Sequence, residues 1–300
     1  MTVNFCGGSC AKHEQHRTRG RNRKSQNIVS TAGRAASVRM NPMAKTALIT
    51  GASTGIGYEL SKVFAREHCE LIIVARDERK LRQVAAELRG LSGQPVKVIA
   101  VDLAERGAPL QISSQLAPAS LDYLVNNAGF GLGGAFIDTD LKTELDMIQV
   151  NIAALVHLTK LFLRDMVGRK RGRILNVAST AAFQPGPMMA VYYASKAFVL
   201  SFSEAIAEEL RGSGVTVTAL CPGPTVSEFQ KRARIENSRL VRTKAMGMMT
   251  AKSVAEIGYR GMMRGKVIVI PGMMNRMGVQ SLRIGPRAIV RRAARKLNEG

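Results

Sequence analysis

The chain has 300 residues, 46% of them hydrophobic, and a formal net charge of +22 at pH 7; that share of apolar residues supports a buried core and excludes a wholly disordered chain. The charge is segregated: residues 1–42 carry +7, residues 43–230 only +1 and residues 231–300 +14, which describes a near-neutral globular body with basic ends and argues against a nucleic-acid-binding domain. Four cysteines, at 6, 10, 69 and 221, are too few and too scattered for a disulfide framework or a four-ligand zinc site, and neither an apolar run approaching the ~18 to 20 residues of a membrane span nor a secretory h-region is visible, so a reducing, cytoplasmic setting and no metal are expected.

Residues 1–42 are rich in Arg, Ser and Gly, lack a hydrophobic period and include His13 and His16. They read as a disordered basic extension, with Met43 the expected start of the folded chain. A transit peptide is the rival reading, and the lack of an amphipathic stretch weighs against it.

From residue 46 onward, strand-like and helix-like runs alternate. "TALIT" (46–50), "LIIVA" (71–75), "VKVIAV" (96–101), "LDYLV" (121–125), "GRILNVA" (172–178), "VTVTALC" (215–221) and "KVIVI" (266–270) are short, continuous and β-branched, as suits strands buried on both faces. Helices are expected over 56–68, 78–90, 141–168, 191–212 and 251–263; in the second, Leu81, Val84, Ala85 and Leu88 form one stripe. This alternation predicts an α/β fold with an open, parallel, doubly wound sheet of about seven strands and helices on both faces. Ligands of such sheets lie at the carboxyl ends of the strands, where the strand order reverses.

"TGASTGIG" (50–57) follows the first strand and opens a helix, with Gly51, Gly55 and Gly57 spaced to permit a tight turn. Such a turn lets backbone N–H groups and a helix N-terminus approach a pyrophosphate, so a dinucleotide is expected. Where an NAD site places an acid after the second strand, this chain has Arg76, a cation suited to the 2′-phosphate; NADP(H) is therefore preferred over NAD(H). Asp77 reads as a helix cap.

Further along, "VYYASKAF" (191–198) places Lys196 one helical turn beyond both Tyr192 and Tyr193. A phenol has an ordinary pKa near 10, and an adjacent ammonium would lower it towards a useful acid. Helical spacing alone leaves either tyrosine eligible.

"TGASTGIG", "VD" (101–102), "NNAG" (126–129), Asn151, Ser179, "YYASK" (192–196) and "PGPT" (222–225) occur in this order. Together they resemble the classical short-chain dehydrogenase/reductase family over about residues 43–270. "NNAGFGLGGAF" and "VTALCPGPT" look most like a bacterial branch of NADP-dependent ketone and ketoacyl reductases. The resemblance implies a Rossmann-type domain and an oxidoreductase interconverting a ketone or aldehyde and an alcohol. It selects Tyr192 as acid/base, with Lys196 lowering its pKa and binding ribose. Ser179 would orient the carbonyl, and Asn151 would hold a proton-relay water. Gly51, Ser53, Thr54, Gly55, Ile56, Gly57, Arg76, Asp102, Leu103, Asn127, Ala128 and Gly129 would bind the cofactor with Tyr192 and Lys196, and Pro222, Gly223 and Thr225 would close over it. A homodimer or homotetramer through 141–168 and the Tyr192 helix is implied as well. The contrasting readings are a non-catalytic dinucleotide sensor, against which the intact Ser179, Tyr192 and Lys196 argue, and a membrane-associated adaptor, which rests only on the basic tails.

The segment "AFQPGPMMAV" (182–191) has no charged residue, and Phe183, Met188 and Met189 with Tyr193 are expected to form an apolar substrate wall. Residues 226–250 form the expected lid. Residues 271–300 are a basic tail whose "GPRAIVRRAARKLNEG" (285–300) reads as an amphipathic helix. That helix suits peripheral contact with an anionic membrane or an acidic acyl carrier, with packing on its own subunit as the plainer alternative.

Overall fold

The computed structural model describes residues 44–116, 121–226, 228–233, 235, 238–239 and 248–299; residues 1–42, Met43 and much of the expected lid lie outside that set. Strands β1 (Thr46–Thr50), β2 (Glu70–Ala75), β3 (Val96–Ala100), β4 (Tyr123–Asn126), β5 (Gly172–Val177), β6 (Val215–Leu220) and a short last strand, Ile268–Val269, form a seven-stranded sheet. Each neighbouring pair in it runs parallel. The order is β3-β2-β1-β4-β5-β6 and then the last strand, so the direction of winding reverses between β1 and β4. Both faces of the sheet are covered, which explains why the strands read as continuous apolar runs rather than alternating ones.

Alternate residues of each strand feed two cores. Ala47, Ile49, Leu71 and Ile73 meet Leu60 and Phe64 of α1 (Gly55–Arg66) and Leu81 and Leu88 of α2 (Glu78–Ser92). Leu48, Ile72 and Val74 face the opposite side, towards Ile112 of α3 (Ala108–Ser114). Asp77 caps α2 as expected, its Oδ1 accepting from the Lys80 N–H at 2.9 Å. Asp140 does the same for α4 (Leu141–Ile148), accepting from Thr143 N–H at 2.8 Å.

The run expected as one helix over 141–168 is divided. α4 passes into a π turn (Gln149–Ala153) and then α5 (Ala154–Gly168). This run is long and apolar enough to cross a membrane by length and composition alone, although no unbroken apolar stretch marks it in the sequence. Its Val150, Ala154 and Leu158 are buried in the second core. α6 (Ala190–Glu209) lies beside it, and a buried amide ladder ties this layer together. Asn126 Nδ2 donates to Asn176 Oδ1 at 2.9 Å and to Thr159 Oγ1 at 3.1 Å, while Asn176 Nδ2 donates to Ser203 Oγ of α6 at 2.9 Å.

Beyond β6, a two-residue strand β7 (Thr225–Val226) pairs with β8 (Met249–Thr250), around a short α7 (Phe229–Arg232). The chain continues through α8 (Ala251–Met263) and the final strand β9 (Ile268–Val269) into two helices, α9 (Met273–Ile284) and α10 (Arg287–Asn298). Of these two only α10 was expected. The described residues belong to one compact unit, Arg39–Gly300.

Candidate active site

One large cleft, about 1360 Å³, opens at the carboxyl ends of the strands, beside the reversal between β1 and β4. Its first arm is a backbone cradle. Gly51 leaves β1 with φ +66°, and its N–H donates to Val74 O at 2.8 Å. A Cβ on Gly51 would come within 2.9 Å of Ala128 Cα, and a Cβ on Gly57 would run into Asn127 Nδ2 and the Gly51 carbonyl. The turn therefore presses against "NNAG" with no space for a side chain. The two loops are also stitched together: Thr50 Oγ1 accepts from the N–H groups of Asn127 and Ala128, both at 3.0 Å, and Asn127 Nδ2 donates to Thr50 O at 2.9 Å.

Ser53, Thr54, Gly55 and Ile56 line the cleft at the start of α1. Thr54 makes no side-chain cap there, and the first turn carries no acid, so backbone N–H donors and the positive helix end are left for a ligand. Gly57 packs behind this wall rather than on it. Arg76, the first residue past β2, lies 3.5 Å from the Asp102 carboxylate with its side chain 69% exposed. Asp102 also accepts from Ala104 N–H at 3.0 Å. Lys80, which the sequence reading passed over, adds a second cation to this wall and pairs with Glu228 at 3.3 Å. A glycine cradle and an uncapped helix start fit the pyrophosphate of a dinucleotide.

At the centre of the cleft stand Ser179, Tyr192 and Lys196. Ser179 follows β5 in extended backbone and caps the 3₁₀ turn Thr180–Phe183, its Oγ accepting from Ala181 N–H at 3.1 Å. Its hydroxyl donates to Pro222 O at 3.4 Å. Lys196 is buried, donates to Val177 O at 2.8 Å, and lies 5.9 Å from the centre of the Tyr192 ring. Asn151, on the π turn, sets back from the cleft wall. Its Oδ1 accepts from Phe130 N–H at 3.1 Å, and its Nδ2 donates to Phe130 O and Ser195 Oγ, both at 3.0 Å. It thereby fixes the loop after β4 to the helix that carries the tyrosine.

The electrostatics differ from the expectation on one point. Burial pushes the Tyr192 phenol above its ordinary value, with the Ser179 hydroxyl pulling part of the way back. The Lys196 ammonium in this structure is turned to the Val177 carbonyl, to which it donates at 2.8 Å. Burial brings Lys196 itself down to about 8, and the buried Cys221 thiol beside it up to about 12. Tyr193 is raised too, by burial.

The remaining arm is apolar. Met189 and Tyr193 line it as expected. Phe183 does not: it packs with Val199, Leu200 and Ala178 beneath the turn. Met188, at φ +69°, is likewise outside the wall. Their places are taken by residues no local motif signals, including Phe229, whose ring lies 5.3 Å from that of Tyr192, and Met277, Val290 and Leu297 of α9 and α10. The C-terminal helix is pinned there. Tyr193 Oη donates to Asn298 Oδ1 at 3.1 Å, and Asn298 Nδ2 donates to Pro187 O at 2.9 Å. Leu103, Asn127, Ala128 and Gly129, with Pro222, Gly223 and Thr225, border the junction of the two arms. Asn275 of α9 packs against Gly223.

Residues 45–238 match the model of the short chain dehydrogenase family. Ketoacyl reductase HetN of Nostoc is 32% identical over 216 residues, 70% of this chain and 72% of its own length. A very-long-chain 3-oxoacyl-CoA reductase of Laccaria bicolor is 36% identical over 62% of this chain, and the match spans only 56% of that protein. Among solved structures, a short-chain dehydrogenase from Sphingobium yanoikuyae in complex with NADPH superimposes with a TM-score of 0.72 at 31% identity, covering 83% of this chain and 97% of that one. A bulky-bulky ketone specific alcohol dehydrogenase from Comamonas testosteroni gives 0.69 at 28% identity, covering 83% and 96%. With the motifs in order on a seven-stranded Rossmann-type sheet and the family model matching well over half its length, the chain belongs to the short-chain dehydrogenase/reductase family of NAD(P)-binding oxidoreductases.

Proposed function

We propose that the protein is an NADP(H)-dependent reductase of an apolar or acyl-chain ketone or aldehyde, with Tyr192 as its proton donor. The observation that carries this reading is the meeting of Ser179, Tyr192 and Lys196 between a glycine cradle and an apolar chamber. When bound, the reduced nicotinamide supplies a hydride to the carbonyl carbon. The work left to the protein is to hold the carbonyl and deliver a proton to its oxygen. Ser179 Oγ, which lines the cleft with the phenol, donates to that oxygen as negative charge grows on it. Tyr192 then transfers its proton. The phenol is protonated at neutral pH, as a donor must be, but burial makes it a weaker acid, so the transfer depends on help from the Ser179 hydroxyl and on the negative charge growing on the carbonyl oxygen.

Loss of that proton leaves an anion in a buried setting, and only then does Lys196 acquire a strong reason to be charged next to it. The lysine's expected role thus belongs to the reacting state rather than the resting one. Asn151 positions the π turn and Ser195 around this corner, in keeping with a proton-relay role. Arg76 and Lys80 supply the preference for a 2′-phosphate. The NADPH of the Sphingobium structure, and similarity to a ketoacyl reductase and to a bulky-bulky ketone specific alcohol dehydrogenase, support this cofactor and substrate class. The exposed Leu141, Leu145 and Phe198 on α4 and α6 offer the apolar face for a homodimer or homotetramer.

The test is consumption of NADPH and NADH against a panel of aldehydes, steroid-like ketones and 3-oxoacyl thioesters. NADPH turnover with bulky or long-chain carbonyls is expected. Activity confined to small charged or sugar ketones would overturn the substrate class, and equal use of NADH would overturn the cofactor preference.

A further inference from the structure

Residues 271–298 contain seven cations, Arg276, Arg283, Arg287, Arg291, Arg292, Arg295 and Lys296, and no acid. In α10 these charges are exposed, while Val290, Ala294 and Leu297 turn inward to the chamber. Both α9 and α10 also leave large apolar side chains in water: Met273 is 68% exposed, Ile284 87% and Ile289 62%. Met274, Met277 and Ile289 are exposed and line the cleft as well. They therefore stand at its mouth. An apolar mouth with projecting Met and Ile, set in a cationic surface, has the makeup of an interfacial helix pair.

We propose that α9 and α10 dock the mouth of the substrate chamber onto an anionic lipid surface, so that apolar substrate enters from the lipid without crossing water. The cations supply attraction to lipid headgroups, roughly 1 kcal/mol per residue near such a surface. The Met and Ile side chains give apolar area that sinks below the headgroups. A second copy of this chain is a poor alternative occupant, because an isologous contact would set seven cations against seven, relieved only by Glu299, which already pairs with Arg295 of its own helix. A nucleic acid would leave the exposed methionines and isoleucines without a partner.

The proposal rests on the reading of the chamber as an apolar-substrate site, but its test needs no turnover, so a failed reductase assay and a failed docking assay are separate results. Full-length protein is sedimented with phosphatidylcholine vesicles with and without phosphatidylserine, and NADPH fluorescence titration checks that each variant is folded. Wild type is expected to bind the anionic vesicles at least tenfold more tightly than the neutral ones, and to be released as salt is raised. Arg291→Glu with Arg292→Glu should weaken anionic binding at least tenfold. Met273→Ser with Ile284→Ser should weaken it about threefold or more at constant charge. Unchanged pelleting of the charge-reversed variant would overturn the proposal and move binding to the basic residues 1–42. Binding to an acidic acyl carrier or to nucleic acid without binding to vesicles would overturn it equally.

Discussion

The two arms of the cleft are built by different means. The nucleotide arm is made of backbone: a left-handed glycine, carbonyls and N–H groups within one turn of β1 and β4, locked at contact distance. The substrate arm is made of side chains that come from α6, α7, α9 and α10 and meet only in the folded chain. A backbone cradle tolerates almost no change and fixes one ligand class. A side-chain chamber can be repacked and so can vary its substrate while the chemistry at the seam stays the same.

The largest effect is expected at that seam. Tyr192→Phe removes the only proton donor in this mechanism while keeping the ring that packs on Phe229. Its kcat should fall by about 10³-fold or more, with NADPH affinity within about twofold of wild type. Loss of both together would mean that the phenol belongs to the nucleotide arm and would dissolve the distinction drawn here.

Gly57→Ala strikes the nucleotide arm alone. Its Cβ would meet the Gly51 carbonyl and Asn127 Nδ2, and backbone on the far side cannot step aside. A cost of about 1–3 kcal/mol is expected from overpacking, read as a lower Tm, together with a loss of NADPH affinity of about tenfold or more. Unchanged affinity would show that the cradle has more slack than these contacts allow.

Lys196 links the arms to pH. Its folded pKa, about 8, lies below the ordinary lysine value of 10.5. The buried ammonium therefore costs stability below about pH 8, and that cost fades as pH rises from there towards 10.5. Lys196→Met should raise stability at neutral pH by about 1–2 kcal/mol, after allowing for the unpaired Val177 carbonyl, and lose most reductase activity. In the wild type, kcat/KM for reduction should decline above about pH 8 as the ammonium is lost. A profile that rises through that range would remove Lys196 from the proton-donating state.

The contrast between the arms also explains what could be read from the sequence. "TGASTGIG", "NNAG" and "YYASK" encode local geometry, so the sheet, the cradle and the catalytic corner followed from short stretches. The six long strands and most helices fell within a few residues of their expected bounds. The substrate arm was less legible. Phe183 lay in an uncharged segment beside the site, yet its ring serves the core with Val199 and Leu200. Local composition carries no information about which way a side chain turns. α9 was missed because Gly272 and Gly278 and the polar Asn275 and Gln280 interrupt its apolar pattern. Asn298 is an ordinary polar residue two positions from the C-terminus, and its partner Tyr193 is 105 residues away.

That pair gives the smallest and most discriminating prediction. Asn298→Leu removes both the acceptor for Tyr193 Oη and the donor to Pro187 O. Two hydrogen bonds of ordinary strength place the loss near 1–2 kcal/mol, and it would fall on the docking of α10 rather than on the sheet, whose cores do not include this residue. Small aldehydes, held mainly at Ser179 and Tyr192, should retain kcat and KM within about twofold. Long or bulky ketones, which need Val290 and Leu297 as a wall, should show a KM raised about three- to tenfold with kcat little changed, the signature of lost uniform binding. Asn298→Asp keeps the acceptor for Tyr193 but not the donor to Pro187, so it should fall between the two. A uniform drop in kcat for every substrate would instead mean that α10 supports the catalytic corner itself, and that the chamber and the chemistry are less separable than their construction implies.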